Sequence, residues 1–176
     1  MKIIITGAPG TGKTSIINHL NKIGYECVKE GTRNILNTSI SKNSNFKSWK
    51  EIPNFSELIF DYREKEVLKT RDSITFFDRS IIDTYSYMKM EKMMIPNKFT
   101  LSIHKNIYHK KVFYTPIWEE IYEIDNERKE SIMEARKIEK NIIKTYSSLS
   151  YEMIIIPKSS IKKRVNFIFN NLHLNI

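Results

Sequence analysis

The 176 residues, 40% hydrophobic and 28% charged, have the make-up of one globular domain able to bury a core without disulfides. Cys27 is the only cysteine, which excludes an intrachain disulfide framework and a cysteine zinc site, and no apolar run reaches the roughly 20 residues that cross a bilayer, so the expectation is a single cytoplasmic domain over 1–176 whose start does not read as a signal peptide. A formal net charge of +9 favours anionic partners; the basic runs "HKNIYHKK" and "KSSIKKR" would suit nucleic acid, an anionic membrane surface, a nucleotide, or solvent alone, and no recognised nucleic-acid module accompanies them.

The first predicted element is a strand of isoleucines over residues 2–6, and the next a helix over 13–22. Between them lies the full phosphate-loop pattern: Gly7, then Ala8, Pro9, Gly10 and Thr11, then Gly12, Lys13 and Thr14, with Ser15 following into the helix. Glycines let backbone N–H groups turn inward on anionic oxygens while the helix points its positive end at the same place. Lys13 is the residue type that reaches β- and γ-phosphates, and a Thr14 hydroxyl completes magnesium coordination. A Gly-rich turn that binds nothing explains some glycines, but not Lys13 and Thr14 at fixed offsets.

A strand over 25–29 ends at Glu30. Glu30 and Arg33 read either as substrate-binding residues at a strand end or as an exposed helix-start pair. The polar connection that follows belongs to an acceptor-side region around 31–60, where Trp49 and Phe55 could close over a substrate or pin the loop to the core. Past Pro53 a helix is predicted over 55–71, then a strongly apolar strand over 73–78. Asp78 closes that strand, placed to hold magnesium through water or to take a proton from an attacking hydroxyl, with Arg79 presenting a planar fork to phosphate oxygens. The alternative is a turn in which Ser80 caps the next helix and Asp83 is its partner three residues on; Asp83 is also a candidate to meet substrate.

A helical stretch runs through "IIDTYSYMKM", and strands are predicted over 110–115 and 151–156. Pro116 ends the former and opens a lid-like segment around 116–130, with Trp118 and Tyr122 four apart. Arg128 heads a helix over 128–147, either as a cation that closes on the transferring phosphate or as part of a solvated face. A last helix covers 159–171. His19, His104, His109 and His173 show no metal-binding spacing. Alternating strands and helices predict an α/β fold with a mostly or fully parallel five-stranded sheet covered on both faces, its ligands bound across the carboxyl ends of the strands.

The stretches "IIITGAPGTGKTSIINHL", "EGTR", "FFDRSIIDTYSY" and "FYTPIWEEIYEIDNERKESIMEA", in this order and spacing, resemble the family of small AAA-labelled P-loop ATPases related to the ribosylnicotinamide kinase domain and to a phosphoinositide-binding GTPase-like protein of animals. The resemblance covers nearly the whole chain. It implies a three-layer P-loop core like that of nucleoside and nucleotide kinases, with the phosphate-loop strand beside the strand ending in Asp78. It further implies Lys13 and Thr14 on nucleotide and magnesium, Asp78 where related kinases keep their base, and Arg79 and Arg128 on phosphates. Glu30 and Arg33 match a Glu-x-x-Arg segment of ribosylnicotinamide kinases. Asp78-Arg79-Ser80 departs from their Asp-Thr-Asp and is closer to the acidic-Arg-Ser of deoxynucleoside kinases. A hexameric motor is not implied, because no second helical domain fits the residues available.

Two functions follow as expectations. One is transfer of the γ-phosphate of Mg-ATP, with GTP the alternative nucleotide, to a small hydroxyl acceptor of nucleoside or nucleotide type, by a monomer or homodimer. The other is a nucleotide-binding switch with slow hydrolysis that regulates contact with protein, phosphoinositide or nucleic acid.

Overall fold

The computed structural model describes residues 1–32, 35–38, 54–70, 73–105, 108–121 and 131–174. Five strands form one sheet: β1 (Lys2–Gly7), β2 (Glu26–Val28), β3 (Thr75–Asp78), β4 (Lys111–Thr115) and β5 (Glu152–Ile155), in the order β2-β3-β1-β4-β5. Every pairing is parallel, with Ile5 opposite Asp78 on one side and Phe113 on the other. The fully parallel form of the expected sheet is therefore the one adopted.

Parallel strands are buried on both faces, which is why β1, β3 and β4 read as nearly unbroken apolar runs. Ile3, Ile5, Phe76 and Phe113 point to one face, where α1 (Lys13–Lys22) and α6 (Ile161–Leu172) cover them with Ile16, Ile17, Leu20, Val165, Ile168 and Phe169. Ile4, Phe77 and Val112 point to the other. They pack against α2 (Phe55–Lys69), α3 (Ile81–Met90), α4 (Asn97–Lys105) and α5 (Ile132–Ser148). Each fully buried isoleucine contributes roughly 1.5–3 kcal/mol relative to exposure, so truncating Ile4 to alanine would cost about 2–5 kcal/mol.

Two helix ends carry reciprocal caps. Ser80 Oγ accepts from the Ile82 N–H at 3.0 Å while Asp83 Oδ2 accepts from the Ser80 N–H at 2.8 Å, the capping box expected for this turn. Ser131 and Glu134 form the same device at the start of α5, so within the described residues that helix begins at Ile132; residues 128–130 of the expected helix lie outside the described residues. The sequence reading lacks α4. Its nine residues bury only Phe99, Ser102 and Ile103, and the helix is held by packing, with the Phe99 and Phe60 ring centroids 3.7 Å apart.

Sheet order positions the site. The chain runs from β1 past β3 to β2, returns to β3, then crosses β1 to reach β4 and β5. The crevice at this reversal lies at the carboxyl end of β1, where the 7–14 loop emerges.

Candidate functional site

Two glycines give the loop after β1 its shape. Gly7 has φ +145°, and a Cβ there would collide with the Thr115 hydroxyl and carbonyl on β4. Gly12, at φ +79°, is the residue before α1, and a Cβ on it would lie 2.8 Å from Arg164 Nη1. Thr11 ties the loop down: its hydroxyl donates to the Ala8 carbonyl at 2.9 Å and pairs with Thr115 Oγ1 at 2.6 Å. Arg164 Nη2 donates to the Thr11 carbonyl at 3.0 Å from the far side.

Lys13 is buried and folds back, donating to the Ala8 carbonyl at 2.6 Å. Burial, followed by the charge of Arg79, lowers its pKa to about 7 against the pull of Asp78, Glu30 and Asp83. Thr14 is exposed at the head of α1, and its hydroxyl donates to Asp78 Oδ2 at 3.2 Å. Asp78 Oδ1 is buried with no hydrogen-bond partner among the described residues. Burial and then the neighbouring Glu30 charge raise the Asp78 pKa, with Lys13, Arg79 and Thr14 opposing. A hydroxyl beside a buried carboxylate with an orphaned oxygen is a donor set that fits magnesium, either directly or through water.

Beyond Asp78 the chain turns sharply. Arg79 adopts φ +69°, a conformation that costs a non-glycine residue on the order of 1–3 kcal/mol, while its N–H still reaches the Ile5 carbonyl at 3.0 Å. The turn aims the guanidinium at two carboxylates: Nε lies 2.8 Å from Glu30 Oε1, as an ion pair with its N–H off line, and Nη1 lies 3.5 Å from Asp83 Oδ1. Arg79 also stands 5.8 Å over the Tyr87 ring. Glu30 meets a second cation, Arg63 on α2, at 3.6 Å. Burial works to raise the Glu30 pKa, but Arg79 and Arg63 more than reverse this and hold it at about 2. Arg63 further donates to the Ser80 carbonyl at 3.1 Å and to Thr84 Oγ1 at 2.7 Å.

Asp83 is completely buried and occupied from several elements. It accepts from Thr6 Oγ1 on β1, from the Ser80 N–H, and from Tyr146 on α5, whose hydroxyl lies 2.5 Å from Oδ2. Of the expected substrate-binding residues, Glu30 lines the cavity at the loop, Asp83 does not, and Arg33 lies outside the described residues. Arg128, Trp49 and Tyr122 also lie outside them.

The cavity has a volume of about 730 Å³ and runs past Pro9 to Ser15, so the middle and end of the phosphate-loop motif face it. Gly7 and Ala8 are not among its lining residues. Sheet order divides the walls. Residues after β2 and β3, among them Glu30, Phe55, Ile59, Arg63, Arg79 and Tyr87, line one arm. Those after β4 and β5 line the other: Trp118, Glu120, Ile121, Ser160, Ile161 and Arg164. Arg63, Arg164, Thr115 and Tyr146 are not site candidates in the sequence: Arg63 and Tyr146 lie inside predicted helices, Thr115 ends a predicted strand, and Arg164 closes the basic run "KSSIKKR".

No helix among the described residues is long and apolar enough to cross a membrane. The fold is similar to that of deoxyadenosine kinase from M. mycoides, solved with products (TM-score 0.66, 18% identity, 98% of each chain covered). It is similar also to thymidylate kinase from Ehrlichia chaffeensis (TM-score 0.61, 18% identity, 98% of each chain). A third similar structure is the NadR protein in complex with NR (TM-score 0.73, 15% identity), where the match covers 98% of this chain and 50% of that one. At these identities the likeness establishes the fold. No functionally curated protein matches the sequence significantly. The model of a family described as an AAA domain matches residues 2–164, from the first strand through the phosphate loop and Asp78-Arg79 to Arg164. The chain therefore belongs to this AAA domain family and is built on the P-loop fold of the nucleoside and nucleotide kinases.

Proposed function

We propose that the protein transfers the γ-phosphoryl group of a nucleoside triphosphate, ATP in the first instance, to the hydroxyl of a small acceptor of nucleoside or nucleotide type. One observation carries this reading: the phosphate loop lies between the two arms of one cavity, so a triphosphate on the loop would present its end to whatever fills the arm beside Glu30 and Arg79. A hydrolytic switch needs no such second arm.

The residues divide the work. Loop N–H groups and the α1 N-terminus hold the phosphates, and Lys13 leaves the Ala8 carbonyl to reach the β- and γ-oxygens. Thr14 and Asp78 would hold magnesium, which when bound neutralises phosphate charge. The arm after β4 and β5, with Ile161 and Trp118 as apolar walls, takes the nucleoside end of the donor.

Glu30 is the carboxylate that orients the acceptor hydroxyl. It lines the cavity, whereas Asp78 faces Thr14 and is almost fully buried. This divides the two roles that the sequence reading gave to Asp78. As the acceptor oxygen forms its bond to phosphorus, the bond from phosphorus to the bridging oxygen breaks, the nucleoside diphosphate leaves, and the hydroxyl proton passes by way of Glu30 to solvent. A carboxylate held at about 2 is a weak base, which suffices because phosphoryl transfer asks chiefly for positioning and charge stabilisation. Arg79 holds Glu30 in place and meets the phosphoryl oxygens, and Asp83 positions Arg79. On this reading residues 31–60 serve the acceptor and 116–130 act as a lid, with Arg33 and Arg128 their contributing cations.

The test is product mass. Mg-ATP incubated with a pool of nucleosides and nucleotides should yield a species heavier by one phosphoryl group, and Lys13→Ala should abolish it. Release of free phosphate at a rate no acceptor changes would defeat the proposal and favour the switch.

A further inference from the structure

We propose that Tyr62 and Gly31 are a positioning pair for the acceptor carboxylate: the Tyr62 ring, seated against the Gly31 backbone, locks the turn that carries Glu30. This rests on the phosphotransfer reading above and deepens it.

The sheet itself does not hold Glu30. β2 is a three-residue edge strand paired with β3 alone, and its ladder ends with Val28 opposite Phe77. Glu30 stands two residues further on. Arg79 fixes the direction of its side chain but not the path of its backbone. The support comes from α2, whose residues 55, 59, 62 and 63 share one face at helical spacing. Phe55 and Ile59 pack with Ile35 and Leu36, and the Ile35 N–H donates to the Gly31 carbonyl at 3.0 Å. Further along the helix, Arg63 lies 3.6 Å from Glu30 and donates to Thr32 Oγ1 at 3.4 Å.

Tyr62 completes the hold. Gly31 is buried, and its backbone lies outside the left-handed region, so its own conformation would admit a side chain. The ring does not: a Cβ on Gly31 would overlap Cε1 and Cζ of Tyr62 and lie 2.7 Å from Cδ1. Carbons pack at about 3.5–4.0 Å, so any side chain at this position would part the ring from the turn by about 1 Å or more. The Tyr62 hydroxyl donates to the Lys29 carbonyl at 3.4 Å. One side chain therefore touches the residues immediately before and after Glu30. Neither Gly31 nor Tyr62 is among the residues that line the cavity, so a change at either reaches a ligand only through its neighbours. Misplacing a reacting group by about 1 Å can cost a factor on the order of 10² in rate, which gives the lock its consequence for transfer.

The test compares transfer by single and double variants, using Mg-ATP and an acceptor identified by product mass. Tyr62→Ala should lower kcat about ten-fold and leave the calorimetric Kd for ATP within about two-fold, whereas Tyr62→Phe, which keeps the ring, should retain at least about half of the wild-type kcat. Gly31→Ala should be as slow as Tyr62→Ala, and the double variant no slower than either, because both changes remove one contact. In a Glu30→Gln background, Tyr62→Ala should cost less than about two-fold, an outcome that a merely structural role for Tyr62 would not produce. Additive losses, a loss that persists without the Glu30 carboxylate, or a Tyr62→Ala protein as fast as wild type would each overturn the lock. Hydrogen exchange reads the same contact without turnover. The Ile35 amide, bonded to the Gly31 carbonyl, should exchange about five-fold faster or more in Tyr62→Ala and at the wild-type rate in Tyr62→Phe. Unchanged exchange in Tyr62→Ala overturns the proposal. Faster exchange in a protein that phosphorylates no acceptor would leave the lock standing and defeat phosphotransfer; transfer with both kcat and exchange unmoved by Tyr62→Ala would do the reverse.

Discussion

Tyr146→Phe isolates the contribution of the buried polar hub to the site. The substitution removes one oxygen, which is fully buried, lies 2.5 Å from Asp83 Oδ2 and lies 2.7 Å from Ser80 Oγ. A hydrogen bond to a buried carboxylate contributes about 1.5–3 kcal/mol net. Two effects pull toward the lower end of that range: Asp83 Oδ2 keeps the Ser80 N–H at 2.8 Å, and the variant no longer buries a phenol oxygen. The ring itself remains, so no cavity term enters. The expected loss is about 1.5–2 kcal/mol, equivalent to a fall in Tm of roughly 4–7 °C for a domain of this size. Urea unfolding followed by far-UV circular dichroism measures it, with an unchanged m-value. Transfer activity at 25 °C should fall less than five-fold, since Arg79 keeps its contacts to Glu30 and Asp83. A loss under 0.5 kcal/mol would refute the hub, and a hundred-fold activity loss at unchanged stability would refute the assignment of Asp83 as a positioning residue.

Four further outcomes are expected. Asp78→Asn should abolish magnesium-dependent transfer yet raise the Tm of the ligand-free protein at pH 7, because an acid whose folded pKa is raised by burial loses stability as pH rises past its unfolded value; thermal melts at pH 7 check this. Glu30 has the opposite sign: its folded pKa is depressed from 4.5 to about 2, so its stabilisation is present above pH 4.5 and drains away as pH falls toward 2, and the acid-side slope of stability should flatten in Glu30→Gln. That variant should also transfer phosphoryl groups about 10²-fold more slowly. Arg164→Ala releases the Thr11 carbonyl and should weaken triphosphate binding about ten-fold by calorimetry while leaving the fold intact.

Much of this was legible in the sequence, for reasons that can be named. β1, β3 and β4 are covered on both faces, so their apolar runs stand out even without alternation. The phosphate loop is readable because Lys13 and Thr14 must follow the glycines at fixed offsets for the backbone to close around oxygens. Ser80 and Asp83 announce a capping box through local spacing alone. The rest arises from approach across the chain. Arg63 sits in the middle of a helix and reads like a surface charge until Glu30 and Thr84 close on it. Arg164 is one of three consecutive basic residues, Lys162 to Arg164, and only the fold turns it onto Thr11, 153 positions away. For Asp83 the sequence leaves both a capping role and a ligand role open, because nothing local reveals that Thr6 and Tyr146 already claim its oxygens. The helix α4 escaped because Thr, Ser and Ile form helices weakly and its support, Phe60, lies in another element.

The most direct measurement follows the γ-phosphoryl group itself. ATP labelled at that group, incubated with magnesium, wild-type protein and an acceptor that binds the arm at Glu30, should place the label on the acceptor's hydroxyl oxygen, with one nucleoside diphosphate formed for each labelled product. Label recovered only as free phosphate, at a rate indifferent to every acceptor that binds, would contradict phosphotransfer.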